Sequence, residues 1–412
     1  MNVLVALFAA ASLDPAPPTR LPYPSEAPQA FEGFALAWST RLPGPSIPTA
    51  SRAERASPVV IGDLLVVARS GLRGVLLVDR RDGTVVGEVS LPATVAATPT
   101  VGDDGRVYVA DSSGNLHAFT TDGLRLGKAA WTHAGGSPIL SSPVYANGVL
   151  YVMNVNEVVY AVDALSGELR WRHAHDLEAS RGAALELYGA PAPLVSTQAA
   201  VVVAGFSDGV VDTVTLADGE LRSSVRVGEG AYPDIIASPA LASGHVIAGG
   251  FAGPLLARPL GGDAPNWRLD IGSAGTGLLH GETLVHPGTD GKLRAIDTRT
   301  GVVLWTWDSG LASTLTVAPA AFGPAHARAD VLVSSAEGTL YVVDTHGGEE
   351  RWRFDPVAVD GQMGFVPSGF SAPATMVGDT MYALGNAGEL YAFRALTVAP
   401  PREANPWLPP TP

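Results

Sequence analysis

The chain has 412 residues, no cysteine and a formal charge of −14. The absence of cysteine excludes disulfides, thiolate metal sites, cysteine nucleophiles and an acylated lipoprotein cysteine. The acidic balance makes a poor polyanion binder, so no nucleic-acid partner is expected.

Residues 1–11 read as an export signal. Residues 3–11 form an apolar run too short to span a bilayer. Ala9, Ala10 and Ala11 are small residues of the kind a signal peptidase accepts. No Lys or Arg precedes the run, and the alternative is an apolar tail with no targeting role. A cleaved signal implies a periplasmic or secreted protein; without cleavage the chain would be soluble and cytoplasmic. No later segment is expected to cross a membrane. Residues 12–33 are a proline-rich linker, and residues 397–412 a proline-rich tail. Between them, residues 34–396 carry one repeated pattern.

Residues 34–40, containing Trp38, are an apolar strand that stands alone. Eight copies of a longer unit follow. Most open on a small residue and proline: Ser57-Pro58, Thr98-Pro99, Ser142-Pro143, Ala192-Pro193, Ser238-Pro239, Ala318-Pro319 and Ala372-Pro373; the copy at Thr276-Gly277 lacks the proline. An apolar strand comes next, at 64–68, 107–110, 150–153, 201–204, 246–249, 283–286, 331–334 and 381–384. A turn of Gly, Asn, Asp or Ser leads to a third strand, and a Gly-containing turn to a fourth that often carries Trp. Short β-branched or aromatic runs bounded by turn residues are hairpin signals. No long amphipathic helix interrupts them.

A strand-rich repeat of about 45 residues predicts an all-β, eight-bladed β-propeller of four-stranded antiparallel blades. The last unit lacks its own fourth strand and runs into Ala399-Pro400-Pro401. Residues 34–40 supply it, closing the ring and removing an open sheet edge. Seven blades plus an irregular segment is the alternative. A closed ring of this size is expected to be a monomer.

The recurring turn reads Ala-x-Asp-x-x-Thr/Ser-Gly-x-x-x-Trp. Ala161, Asp163, Ser166, Gly167 and Trp171 match it, as do Ala295, Asp297, Thr300, Gly301 and Trp305; Asp344, Gly348 and Trp352 match in part. Unit one has Gly87 in the tryptophan place, unit two sets Trp131 four residues late, unit four has Ser223, and unit five keeps Trp267 without the Asp-x-x-Thr-Gly turn. The motif resembles the tryptophan-docking repeat of pyrroloquinoline quinone (PQQ)-like propellers, over roughly residues 34–396. Physically, Asp with Thr or Ser can bind turn amides, and Gly can take a positive φ. Trp can pack on the neighbouring blade while its N–H finds a partner. These residues are therefore expected to be structural; cofactor-stacking tryptophans are the alternative.

The resemblance implies two function classes. Quinoprotein dehydrogenases oxidise alcohols or sugars with PQQ and usually Ca²⁺; they typically carry a vicinal cysteine pair and long insertions, which this chain lacks. BamB-like scaffolds of outer-membrane protein assembly bind protein and catalyse nothing. Compact units and an N-terminal closing strand resemble the second class, although its familiar members are lipoproteins and no cysteine is present to acylate. The expected function is a non-catalytic scaffold with a protein or peptide partner and no cofactor. A divergent PQQ-dependent oxidoreductase and a small-ligand sensor are the alternatives.

The partner surface is expected on loops joining fourth to first strands. The loop at 172–190 offers Arg181, Glu186 and Tyr188; that at 354–371 offers Asp360, Gln362, Met363, Phe365 and Phe370; that at 229–234 offers Tyr232. Caps over the channel are the other reading of these loops. His173 and His175 with Asp176 form a weak metal pattern, with surface decoration as the simpler reading. Asp103-Asp104-Gly105 reads as a hairpin turn, since later ligands of a calcium loop are missing. No P-loop, dinucleotide fingerprint, nucleophile elbow or zinc-protease motif occurs.

Overall fold

Apolar runs bounded by Gly, Asn and Asp form the middle strands of each sheet, and their burial explains their composition. Leu64–Ala68 and Val201–Gly205 are buried along their whole length, because each sheet is covered on both faces by its neighbours. Outer strands alternate instead: Leu221–Arg226 turns every second residue to solvent. The computed structural model describes residues 30–44, 53–175, 191–260, 265–311, 314–320, 330–356 and 369–398.

Eight antiparallel sheets of four strands make up the molecule. Blade one runs from Val59–Ile61 to Val85–Ser90, and blade seven from Leu315–Ala320 to Glu350–Phe354. Blade eight takes three strands from the end of the chain and its fourth from the beginning. Ala30–Arg41 pairs antiparallel with Glu389–Val398, placing Trp38 opposite Ala392. The ring is thus closed by hydrogen bonds between the two ends of the propeller, which give blade eight its fourth strand.

Eight apolar clusters sit among the described residues, one at each junction between blades. Val66, Leu77 and Val89 meet Val109 and Phe119 between blades one and two. Leu65 and Val67 meet Tyr382, Leu384 and Trp38 across the closure. The core is therefore a circle of inter-blade seams, which lets a 412-residue chain fold as a single unit.

The inner strands are joined by the small residues that open each unit. Thr98 Oγ1 accepts from the Ser57 amide at 3.0 Å, Ser142 Oγ accepts from the Thr98 amide at 3.1 Å, and Thr276 Oγ1 accepts from the Ser238 amide at 3.0 Å. Across the closure, Ser57 Oγ and Thr375 Oγ1 each donate to the carbonyl of a proline, Pro373 and Pro58 respectively, at 2.7 Å. Proline cannot donate a ladder bond, so a neighbouring hydroxyl supplies the link.

Tryptophans of outer strands dock onto the turn of the next blade. Trp131, Trp171, Trp267 and Trp305 donate Nε1–H to the carbonyls of Ala164, Leu216, Thr298 and Thr345, at 2.8–3.1 Å. Each indole lies over a turn glycine, respectively Gly167, Gly219, Gly301 and Gly348. Within the turns, Asp163 Oδ1 accepts from the amides of Leu165 and Ser166, and Asp297 Oδ1 from those of Arg299 and Thr300. Trp352 of blade seven lies against Gly33 of the closing strand.

The irregular copies are paired. Gly87 stands where blade one would carry its tryptophan, and the receiving turn of blade two is replaced by a short helix, Thr121–Arg125. Ser223 stands in that place in blade four, and the next blade lacks the Asp-x-x-Thr-Gly sequence. A docking residue and its receptor are lost together.

Candidate partner-binding face

Turns between second and third strands, and loops between blades, share one end of the ring. They are sewn together by backbone bonds: Ile235 N–H donates to the Phe206 carbonyl at 3.1 Å, Phe251 N–H to Asp234 at 2.9 Å, and Val227 N–H to Gly209 at 2.7 Å. The described part of this face that carries the most chemistry spans blades three to five.

At its centre, Asp212 of blade four binds two histidines of blade three. Its Oδ2 lies 2.9 Å from His173 Nε2 and 3.0 Å from His175 Nδ1. His175 Nε2 reaches Asp208 Oδ2 at 3.3 Å, and its ring stacks on Phe206 at 4.0 Å with planes 8° apart. The Ser207 amide donates to Glu157 Oε1 at 2.7 Å, adding a second tie between the blades. His173 lies on the strand Leu169–Ala174 and His175 follows directly after it, with Ala174 between them, so both rings meet the same neighbour.

Burial by itself would lower the His175 pKa; the carboxylates of Asp208 and Asp212 outweigh it and raise it to about 9. Burial likewise opposes ionisation of Asp212, but hydrogen bonds from His173, His175 and Ser224 hold its pKa well below the usual carboxylate range. His175 is therefore held as a charged partner between Asp208 and Asp212 at neutral pH. The cluster also corrects the reading of His173 and His175 as surface decoration: both are largely buried and carboxylate-bound. Among the described residues, no group of three or more His, Cys, Asp or Glu is arranged to hold a metal ion. Asp176 lies outside the described residues.

Beside this cluster, Tyr232 is 36% exposed and meets Phe251 edge-on at 6.4 Å. An acid–base rim adjoins it: Arg268 binds Glu229 at 2.8 and 3.2 Å and Asp270 at 2.9 Å. An exposed tyrosine backed by a half-buried phenylalanine and a charged rim suits contact with a peptide or protein surface. Of the residues expected to bind a partner, Tyr232 is placed here. Arg181, Glu186, Tyr188, Asp360, Gln362, Met363 and Phe365 lie outside the described residues. Phe370 is not part of an apolar surface patch: it is 1% exposed in the seam between blades seven and eight, 5.8 Å from Tyr391.

Asp208 and Asp212 escaped the reading of the sequence. The available signal was an acid inside an apolar run, Val210-Val211-Asp212-Thr213-Val214, where a buried charge needs a partner.

A family model described as outer membrane protein assembly factor BamB matches residues 72–307 and 273–399. The chain belongs to the BamB family. A relative with that description from Yersinia pestis is 28% identical over 294 residues, covering 70% of this chain and 68% of its own. The solved BamB from Moraxella catarrhalis superposes with a TM-score of 0.67 at 18% identity, covering 88% of this chain and 99% of that one. A quinohemoprotein alcohol dehydrogenase from Pseudomonas putida superposes at 0.60 with 14% identity, covering 92% and 78%. At such identities the two structures share the fold with this BamB-family chain.

Proposed function

We propose that the chain is a non-catalytic scaffold of the cell envelope, periplasmic and monomeric, that binds a protein engaged in outer-membrane protein assembly. The family match across residues 72–399 carries this reading. The geometry of the blade three-to-five face agrees with it. His175, Asp208 and Asp212 are closed into an ion-paired group, while Tyr232 remains exposed beside Phe251. The proposed surface extends through the loops at 172–190 and 354–371, with Arg181, Glu186, Tyr188, Asp360, Gln362, Met363 and Phe365 as contacts.

The test is cross-linking and pull-down of the tagged chain from envelope extracts. Wild type is compared with Tyr232→Ala and with both long loops replaced by Gly/Ser segments. The expected result is a discrete envelope partner, weakened by Tyr232→Ala and lost with the loops. Retention after all three changes would reject this surface. Dye reduction with alcohols or sugars after adding PQQ and Ca²⁺ would overturn the non-catalytic reading.

A further inference from the structure

At the opposite end of the ring, hairpins of blades three and four enclose a half-open cavity of about 400 Å³. Its lining includes Tyr151, Trp171, Leu216, Arg170, Arg222 and Asp218. Two of these residues have polar groups that the fold leaves unused.

The first is Tyr151. It is 3% exposed, and its ring packs on Trp171 at 5.9 Å. Its hydroxyl has no hydrogen-bond partner among the described residues. As Tyr151 lines the cavity, its hydroxyl is free to donate to an occupant. Burial pushes its pKa up to about 12, with Arg170 opposing, so it stays a protonated donor.

The second is Arg222. The fourth strand of each of blades three, four and seven begins with a bulge, and the bulged residue is an arginine: Arg170, Arg222 and Arg351. Arg170 binds Asp163 at 2.7 Å, and Arg351 binds Asp344. The corresponding place in blade four holds Thr215, paired with Val201 as Asp163 is with Val149. Arg222 forms no salt bridge or hydrogen bond among the described residues. Asp218 does not replace the missing partner, because it accepts from the Thr215 hydroxyl and the Glu220 amide and meets Arg222 only as a distant charge.

We propose that this cavity binds a small organic acid, an apolar body carrying one carboxylate. The carboxylate pairs with Arg222, whose planar fork fits it. The body lies against Tyr151, Trp171 and Leu216, and the Tyr151 hydroxyl donates to the ligand. Trp171 has already committed its N–H to Leu216, so it offers apolar surface only. The volume falls in the range of small-molecule sites. In a chain of charge −14, an anion needs such a local cation to enter.

The probe is 4-phenylbutyrate, titrated into the full chain at millimolar concentration and followed by saturation-transfer NMR and calorimetry. Saturable binding is expected, with 4-phenylbutyramide about tenfold weaker or more. Arg222→Gln, at an exposed position, should lose about the same factor while unfolding as wild type does. Tyr151→Phe should weaken binding several-fold with the ring packing kept, and Arg125→Gln, in blade two, should bind as wild type does. No saturable binding of the acid, equal affinity for acid and amide, or unchanged affinity in Arg222→Gln would each overturn the proposal.

Discussion

Trp38 of the closing strand lies across Gly83 of blade one, where an added Cβ would stand 2.6 Å from the indole. The Trp38 N–H donates to the Arg80 carbonyl at 3.3 Å in the same turn. Strand pairing within blade eight joins the two ends of the propeller, and Trp38 then ties the closing strand to blade one. The contact repeats the Trp171–Gly219 relationship between the closing strand and the blade that follows it in the chain.

Gly83→Ala and Gly219→Ala should each destabilise by about 2–4 kcal/mol, combining positive-φ strain with overpacking against tryptophan. Gly105→Ala is the matched control. Its φ of +75° equals that of Gly219, yet nothing lies within 4 Å of an added Cβ, so about 1 kcal/mol is expected. Thermal unfolding of the three variants separates the two costs; equal losses would show that the indoles contribute nothing.

Arg69 secures the chain where it leaves the closing strand. It donates to the carbonyls of Leu42 and Pro43 at 2.8 and 2.9 Å and pairs with Glu54 at 3.2 Å, both side chains being buried. Arg69→Ala leaves Glu54 without this cation and should cost about 3–5 kcal/mol. Urea unfolding, with trypsin cleavage near Arg41 as a local probe, should show early release of the N-terminal strand. Global unfolding at the wild-type midpoint would contradict this.

The histidine cluster predicts a pH profile. His175 has a folded pKa of about 9 against an ordinary 6.5. Its stabilisation is therefore complete below pH 6.5 and fades as pH rises through 9. Asp212, lowered from 3.8, stabilises above its ordinary value and loses that contribution as pH falls toward its folded pKa. His175→Gln should cost on the order of 2 kcal/mol at pH 6 and much less at pH 10. Urea midpoints from pH 6 to 10 check this; an alkaline slope identical in the variant would rule out His175 as its source.

Ser223→Trp should not stabilise the protein. The seam it faces, lined by Val211, Thr213, Val246 and Leu256, leaves a cavity of about 20 Å³, room for roughly one water. An indole there must displace its neighbours, at about 1–3 kcal/mol. A raised melting temperature would show that the seam can open to receive it.

Local patterns in the sequence carried the blade count, the strands and the orphan strand at 34–40. Alternating burial and turn chemistry are properties of a few adjacent residues, so they can be read in order along the chain. The Asp163 and Asp297 turns belong to that class, since Asp and the amides it binds are two or three residues apart. Which turn receives which tryptophan could not be read this way, because Trp171 and its acceptor Leu216 are 45 residues apart on different blades. Nor could the 37-residue link from His175 to Asp212, or the meeting of Tyr151 with Arg222 around one cavity. Such contacts depend on how far each sheet is rotated against the next. That rotation is set by packing of the whole ring, and no spacing within one repeat encodes it.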